Sequence, residues 1–164
     1  MRNKRIGKKW RLAIKLDISN AYDRVKWELL WWIMLKLGID GSWVNLAMET
    51  VCVTSYSVLI SGEPQGYVTP FLGIKQGDPL PLYLFFLCAE GLFSLIRKAM
   101  QAQSLHGVLS CTNGVCISHL LFADDSFIFC QATTEEYQRL TNLLWWYEMA
   151  SGQAINRQKN IYFL

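Results

Sequence analysis

The sequence predicts an α+β protein: an antiparallel sheet with helices packed on one face. Three observations point there. RLAIKLDIS alternates apolar and polar residues with the two-residue period of a strand. Stretches such as NAYDRVKWELLWWIMLKLGI carry apolar residues at helical spacing. Hairpin signals lie between the helices, a mixture that parallel strand–helix–strand units do not show.

In RLAIKLDIS, Leu12, Ile14, Leu16 and Ile18 face one way, while Arg11, Lys15 and Asp17 face the other. Asp17 therefore falls on the polar face, near the strand's end. In the following helix Val25, Leu29, Ile33, Lys36 and Leu37 share a face with Trp32 beside them. Ser19 or Asn20 is expected to cap its start. Gly38 suits the position just past its end, with Lys36 in the last turn. A second short helix is expected from Ser42 to about Val51. VTSYSVLISGEPQGYVTP reads as a hairpin turning between Gly62 and Gly66.

The loop GIKQGDP follows. Pro79 and Pro81 then introduce a long apolar helix from about Leu82 to Met100. HLLFADDSFIFC reads as two short strands joined through Ala-Asp-Asp-Ser. Thr133 and Glu136 form a capping-box pattern for a helix that ends near Gly152, with Leu140, Leu143, Leu144 and Tyr147 as its buried stripe. NIYFL offers one more strand.

The chain has 164 residues, 52% of them apolar, with seven Trp, which is a composition for one domain with a core rather than for disorder. No repeat or low-complexity linker divides it. The longest apolar run, Leu80 to Gly91, is shorter than the roughly 20 residues a bilayer span needs. MRNKRIGKKW has no apolar segment after its charges and is not a signal peptide. An intracellular protein, neither secreted nor membrane-bound, is expected. The five cysteines include no CxxC pair, and most sit among apolar neighbours, so buried reduced thiols are expected rather than zinc. The net charge is +3, but Arg2, Lys4, Arg5, Lys8, Lys9, Arg11 and Lys15 all precede the first acid. Such a segment can meet phosphate or serve as a solvated arm.

Two adjacent carboxylates, Asp124 and Asp125, stand between apolar runs. In a continuous strand one of them would point into the core, at a cost of several kcal/mol. A tight turn removes the conflict. That turn is either a plain solvated hairpin or one that presents both carboxylates at a sheet edge. With Asp17 as third ligand, the second arrangement would hold divalent cations through hard oxygen donors. A glycosidase pair fits poorly. No serine or cysteine nucleophile with its histidine is apparent, since the only histidines are His106 and His119.

KLDISNAYDRVKW, GIKQGDPLPLYLF, HLLFADDSFIF and ASGQAINRQKN occur in that order. Together they resemble the palm of a LINE-type (non-LTR) retrotransposon reverse transcriptase of the plant kind, over nearly the whole chain. The resemblance implies a polymerase palm-type sheet and an RNA-directed DNA polymerase using two Mg²⁺ ions, with Mn²⁺ as a substitute. It implies that Asp17, Asp124 and Asp125 are the catalytic metal ligands, assisted by the carbonyl of Ile18. It places Tyr22 as an aromatic steric gate beneath the incoming sugar, and Gln76 and Gly77 against the template base and nucleotide. Asp78 and Pro79 continue that motif. Lys159 matches the lysine behind the active site. RNA template, DNA primer and deoxynucleoside triphosphates are the implied partners, and a nuclear site follows from target-primed replication on chromosomal DNA.

On this reading residues 1–164 form a single partial domain. Residues 1–10 are a remnant of the connector from fingers to palm, and the fingers, thumb and endonuclease of a full-length element are missing. Pro81 and Leu82 stand where the family has Ser and Pro. The missing fingers and thumb and that departure together motivate an alternative: a catalytically inactive retroelement relic with at most weak nucleic-acid binding.

Overall fold

A computed structural model describes residues 10–75, 79–109, 114–122, 125–156 and 161–163. Its elements are β1 (Arg11–Ser19), α1 (Trp27–Lys36), α2 (Gly41–Cys52), β2 (Tyr56–Ile60), β3 (Glu63–Val68), α3 (Pro79–Gln101), β4 (Val108–Leu109), β5 (Cys116–Ile117), β6 (His119–Phe122), β7 (Asp125–Gln131), α4 (Thr134–Ser151), β8 (Ala154–Asn156) and β9 (Ile161–Phe163). The chain divides into two compact units. One comprises Met1–Ser19, Leu92–Tyr147 and Ile155–Leu164; the other comprises Asn20–Gly91 and Glu148–Ala154.

The first unit is built on a five-stranded sheet in the order β6-β7-β1-β8, with β9 also pairing β1. Strand β1 pairs antiparallel with β7, and β6 with β7. The register explains the alternation of RLAIKLDIS. Leu12 opposes Cys130, Ile14 opposes Ile128 and Leu16 opposes Ser126, and all six are buried. Each large apolar side chain in that column contributes about 1.5–3 kcal/mol. The other face carries Lys15 opposite Phe127 and Asp17 opposite Asp125.

At the start of α4 the expected capping box is half formed. The Glu136 N–H donates to Thr133 Oγ1 at 3.2 Å. The Glu136 carboxylate does not reach back to Thr133. Its Oε2 accepts from the N–H groups of Gln131 (2.9 Å) and His106 (3.1 Å), and its Oε1 pairs with His106 Nδ1 at 2.7 Å. Glu136 is buried, so three partners compensate its desolvation better than one cap would. Along α4, Leu140, Leu144 and Tyr147 are buried as expected, and Leu143 is half-buried. Gly152 follows the helix with φ +78°.

The second unit has a core of Val25, Leu30, Met34, Val44, Val51, Ile74, Leu84, Phe85 and Cys88. Here α1 starts at Trp27, not near Ser19 or Asn20, and its N-cap Lys26 makes no side-chain cap bond. Residues 20–24 form a turn instead, with Asn20 at φ +50°. The later start changes the face that packs. Leu30 and Met34 are buried, while the expected Leu37 and Trp32 are about half exposed. Leu37 and Gly38 close the helix, with Gly38 at φ +81°. Helix α2 opens on Asp40, whose carboxylate accepts from the Ser42 N–H at 2.9 Å. The Ser42 hydroxyl, which also donates to this carboxylate, and then that backbone bond hold the Asp40 carboxyl below its ordinary pKa.

The β2–β3 hairpin turns at Ser61 and Gly62, both at positive φ (53° and 86°), rather than between Gly62 and Gly66. Such mirror-image two-residue turns match strand twist and displace longer loops. Helix α3 begins at Pro79, three residues earlier than expected, so both prolines lie in its first turn. At 23 residues it is long and apolar enough to cross a bilayer by length and composition, unlike the shorter run visible in sequence. Its burial is instead a stripe, through Leu84, Phe85, Cys88, Leu92, Phe93 and Ile96, as in a core helix.

Candidate active site

Strand β7 begins beside the end of β1. Within the β6–β7 ladder Phe122 pairs with Asp125. Asp125 is the first residue of β7 and stands directly opposite Asp17 in the ladder. Two carboxylate-bearing residues thus occupy facing positions where opposed Cα atoms are about 4.5–5.5 Å apart. They lie on the sheet face away from the Leu16–Ser126 column, and Asp17 is only half-buried. Ile18, the next residue of β1, is also half-buried.

Tyr22 lies in the turn ahead of α1. Its ring stacks on Phe85, with centroids 4.6 Å apart and planes 21° from parallel, at the margin of the second unit's core. The loop leading to Gln76 is tied to this turn. Ile74 N–H donates to the Tyr22 carbonyl (2.9 Å), Gly73 N–H to the Val25 carbonyl (2.8 Å), and Trp27 Nε1 to the Gly73 carbonyl (2.6 Å). Gly73 is required here: φ is +90°, and a Cβ would sit 2.7 Å from the Asp23 carbonyl oxygen. The chain is therefore pinned beside Tyr22 one residue before Lys75.

Asp124, Gln76, Gly77, Asp78 and Lys159 lie outside the described residues, as does the basic segment from Arg2 to Lys9. Among the described residues no group of three His, Cys, Asp or Glu forms a metal cluster; Asp17 and Asp125 are the two of the expected set that the structure brings together. Of the cysteines, Cys88 and Cys130 are buried, while Cys52 and Cys116 are exposed, so burial holds for only two of these four. Burial pushes the Cys88 thiol up to about 12, and burial with the nearby Glu136 charge pushes Cys130 to about 11.

Sequence reading missed two residues that shape this region. Gly73 opens GIKQGDP, and a glycine at the head of that loop was the available signal. Gln153 sits inside ASGQAIN, buried, with Nε2 donating to the Ala21 carbonyl at 2.6 Å. Nothing local in the sequence marks that partner, 132 positions away.

The fold is similar to that of solved telomerases. The telomerase of Candida tropicalis, solved with a fragment of telomeric RNA, matches 99% of this chain and 27% of its own, at TM-score 0.71 and 12% identity. The Candida albicans telomerase matches 95% of this chain and 27% of its own, at TM-score 0.63 and 14% identity. At the level of sequence, the chain belongs to the reverse transcriptase (RNA-dependent DNA polymerase) family, whose model matches residues 2–163. It is similar to the Pol polyprotein of the type-1 retrotransposable element R2 of Popillia japonica, 27% identical over 113 residues, which cover 69% of this chain and 18% of that protein. It is also similar to an uncharacterized mitochondrial protein of Arabidopsis thaliana, 49% identical over 76 residues, 46% of this chain and 62% of that one. The chain thus spans less than two thirds of the length of either relative. These likenesses agree with the LINE-type resemblance of its four motifs.

Proposed function

We propose that this chain is the palm of an RNA-directed DNA polymerase that extends a DNA primer with deoxynucleotides on an RNA template. The observation that carries the reading is the register of Asp17 against Asp125. Asp17, Asp124, Asp125 and the Ile18 carbonyl are the groups that would hold two Mg²⁺ ions, or Mn²⁺ in their place. Bound there, such ions would supply activation of the primer 3′-hydroxyl and stabilisation of the leaving pyrophosphate.

The other residues of the four motifs have separable tasks. Tyr22, held on Phe85, presents a ring that leaves no room for a 2′-hydroxyl. Gln76 and Gly77, entered from the pinned Gly73–Ile74 segment, lie against the template base and nucleotide. Lys159 donates a proton toward pyrophosphate. The fingers, thumb and endonuclease belong to a longer element on this reading, and its work on chromosomal DNA places it in the nucleus. The alternative, an inactive relic, is motivated in part by Pro81 and Leu82. Helix α3 nevertheless starts at Pro79 and continues unbroken through both positions, which supports the polymerase reading at that point.

Primer extension on an RNA template, with Mg²⁺ or Mn²⁺, tests the proposal. Extension is expected from the unaltered chain and is expected to vanish in Asp17→Ala and Asp124→Ala. Equal signal from the chain and from Asp124→Ala would sink it.

A further inference from the structure

Gln153 closes a brace around the turn that carries Tyr22. The brace comes from the end of α4 and the residues after it. The Met149 carbonyl accepts from Lys26 Nζ, and the Ser151 carbonyl from the Lys26 N–H, both at 2.8 Å. Gly152 approaches the turn so closely that a Cβ there would lie 2.6 Å from the Arg24 carbonyl oxygen. The Gln153 N–H donates to Ser151 Oγ at 3.1 Å, and its side chain, 2% exposed, donates to the Ala21 carbonyl at 2.6 Å.

The last bond differs from the others in what it holds. Tyr22 is flanked by two peptide groups. The carbonyl before it, of Ala21, is held by Gln153; its own carbonyl is held by the Ile74 N–H at 2.9 Å. Fixing both peptide planes fixes the two soft backbone torsions of Tyr22, and with them the direction in which its side chain leaves the chain. The ring is then seated on Phe85. A buried primary amide is costly to place unless bonded, and an apolar side chain would fill the same space without that cost. The bond to Ala21 is the gain that an apolar residue would lack.

We propose that Gln153 is a positioning residue for nucleotide selection: by holding the Ala21 carbonyl it sets the Tyr22 ring, and so the gap left beneath the incoming sugar. The inference rests on the reading of Tyr22 as the steric gate. Displacements of about 1 Å at a reacting site can cost a hundredfold, so a gate ring needs more than core packing to hold it. Gln153→Met keeps the length and apolar stem and removes the donor.

The test compares kcat/KM for a deoxynucleotide and its ribonucleotide in primer extension, for the unaltered chain, Gln153→Met, Tyr22→Ala and Lys26→Met. Amide exchange of residues 21–25 is read in parallel. Gln153→Met is expected to lower the deoxy-to-ribo ratio about fivefold, the factor of one neutral hydrogen bond, and to speed exchange in the turn. Tyr22→Ala is expected to lower the ratio further. Lys26→Met, which loosens the same brace without touching either peptide of Tyr22, is expected to leave the ratio unchanged. Should Gln153→Met unfold the chain, Gln153→Asn, which keeps the amide but falls short of Ala21, carries the same expectation. An unchanged ratio in the Gln153 variant beside a lowered one in Tyr22→Ala overturns the inference and leaves the gate standing. An unchanged ratio in Tyr22→Ala overturns the gate and the inference with it. Equal losses in the Gln153 and Lys26 variants reduce the effect to general loosening and overturn it too. No extension by the unaltered chain refutes the polymerase reading on which all of this rests.

Discussion

Replacing Asp17 by Asn should stabilise the protein in the absence of divalent ions and abolish its stabilisation by them. The register sets Asp17 against Asp125, and opposed positions in an antiparallel ladder are about 5 Å apart. Cross-strand pairs on sheets change stability by about 0.2–1 kcal/mol, and like charges directly opposite are destabilising. Removing one charge should therefore raise stability by about 0.5–1 kcal/mol at low salt, or about 1–4 °C in Tm for a chain of this size. Mg²⁺ at ten times its Kd should stabilise the unaltered chain by about 1.4 kcal/mol and Asp17→Asn by far less. Urea melts at low ionic strength, with and without Mg²⁺, read both quantities. If the variant is less stable without metal, or gains as much from Mg²⁺ as the unaltered chain, the facing carboxylates are not a cation site.

Three other predictions follow from the packing. Gly73→Ala forces a side chain into φ +90° and against the Asp23 carbonyl; a left-handed residue alone costs about 1–2 kcal/mol, so a loss of roughly 2 kcal/mol or more is expected in denaturant melts, and a loss under about 0.5 kcal/mol would contradict the close approach. Glu136→Ala leaves the His106 and Gln131 N–H groups without the carboxylate they share; about 1–3 kcal/mol should be lost, with faster amide exchange at both positions. The raised Cys88 thiol predicts a sign: it stays protonated in the folded chain up to about 12, whereas the unfolded thiol ionises near 9. The unfolded state therefore holds fewer protons between those values, and stability should fall with rising pH by about 1.4 kcal/mol per unit from this group. At pH 8 a thiol reagent should modify the exposed Cys52 and Cys116 and spare Cys88 and Cys130 in the folded chain, as peptide mapping would show.

Much of the fold was legible because its signals are local. The alternation in RLAIKLDIS, and Gly38 and Gly152 behind their helices, act over a few residues, and the structure places them as read; the prolines announced α3, which begins on Pro79 itself, three residues earlier than expected. Local signals failed where two of them competed. Ser19 and Asn20 are good caps, yet the chain spends residues 20–24 on a turn and starts α1 at an uncapped Lys26. The turn is held by partners at Ile74, Ser151 and Gln153, which no window around residue 20 contains. Glu136 was read as a capping residue because Thr133 is three positions away; its carboxylate went to His106, 30 positions away.

The sequence by itself determined the family, through four ordered motifs, and named Asp17 and the Asp124–Asp125 pair as candidate ligands. It could not say that Asp17 faces Asp125. Periodicity fixes which face of a strand a residue occupies, but not its opposite number, and a slip of one residue would send every side chain to the other face. Only the assembled sheet decided that register, because burying the Leu12–Cys130, Ile14–Ile128 and Leu16–Ser126 column on one face leaves the two aspartates facing each other on the other.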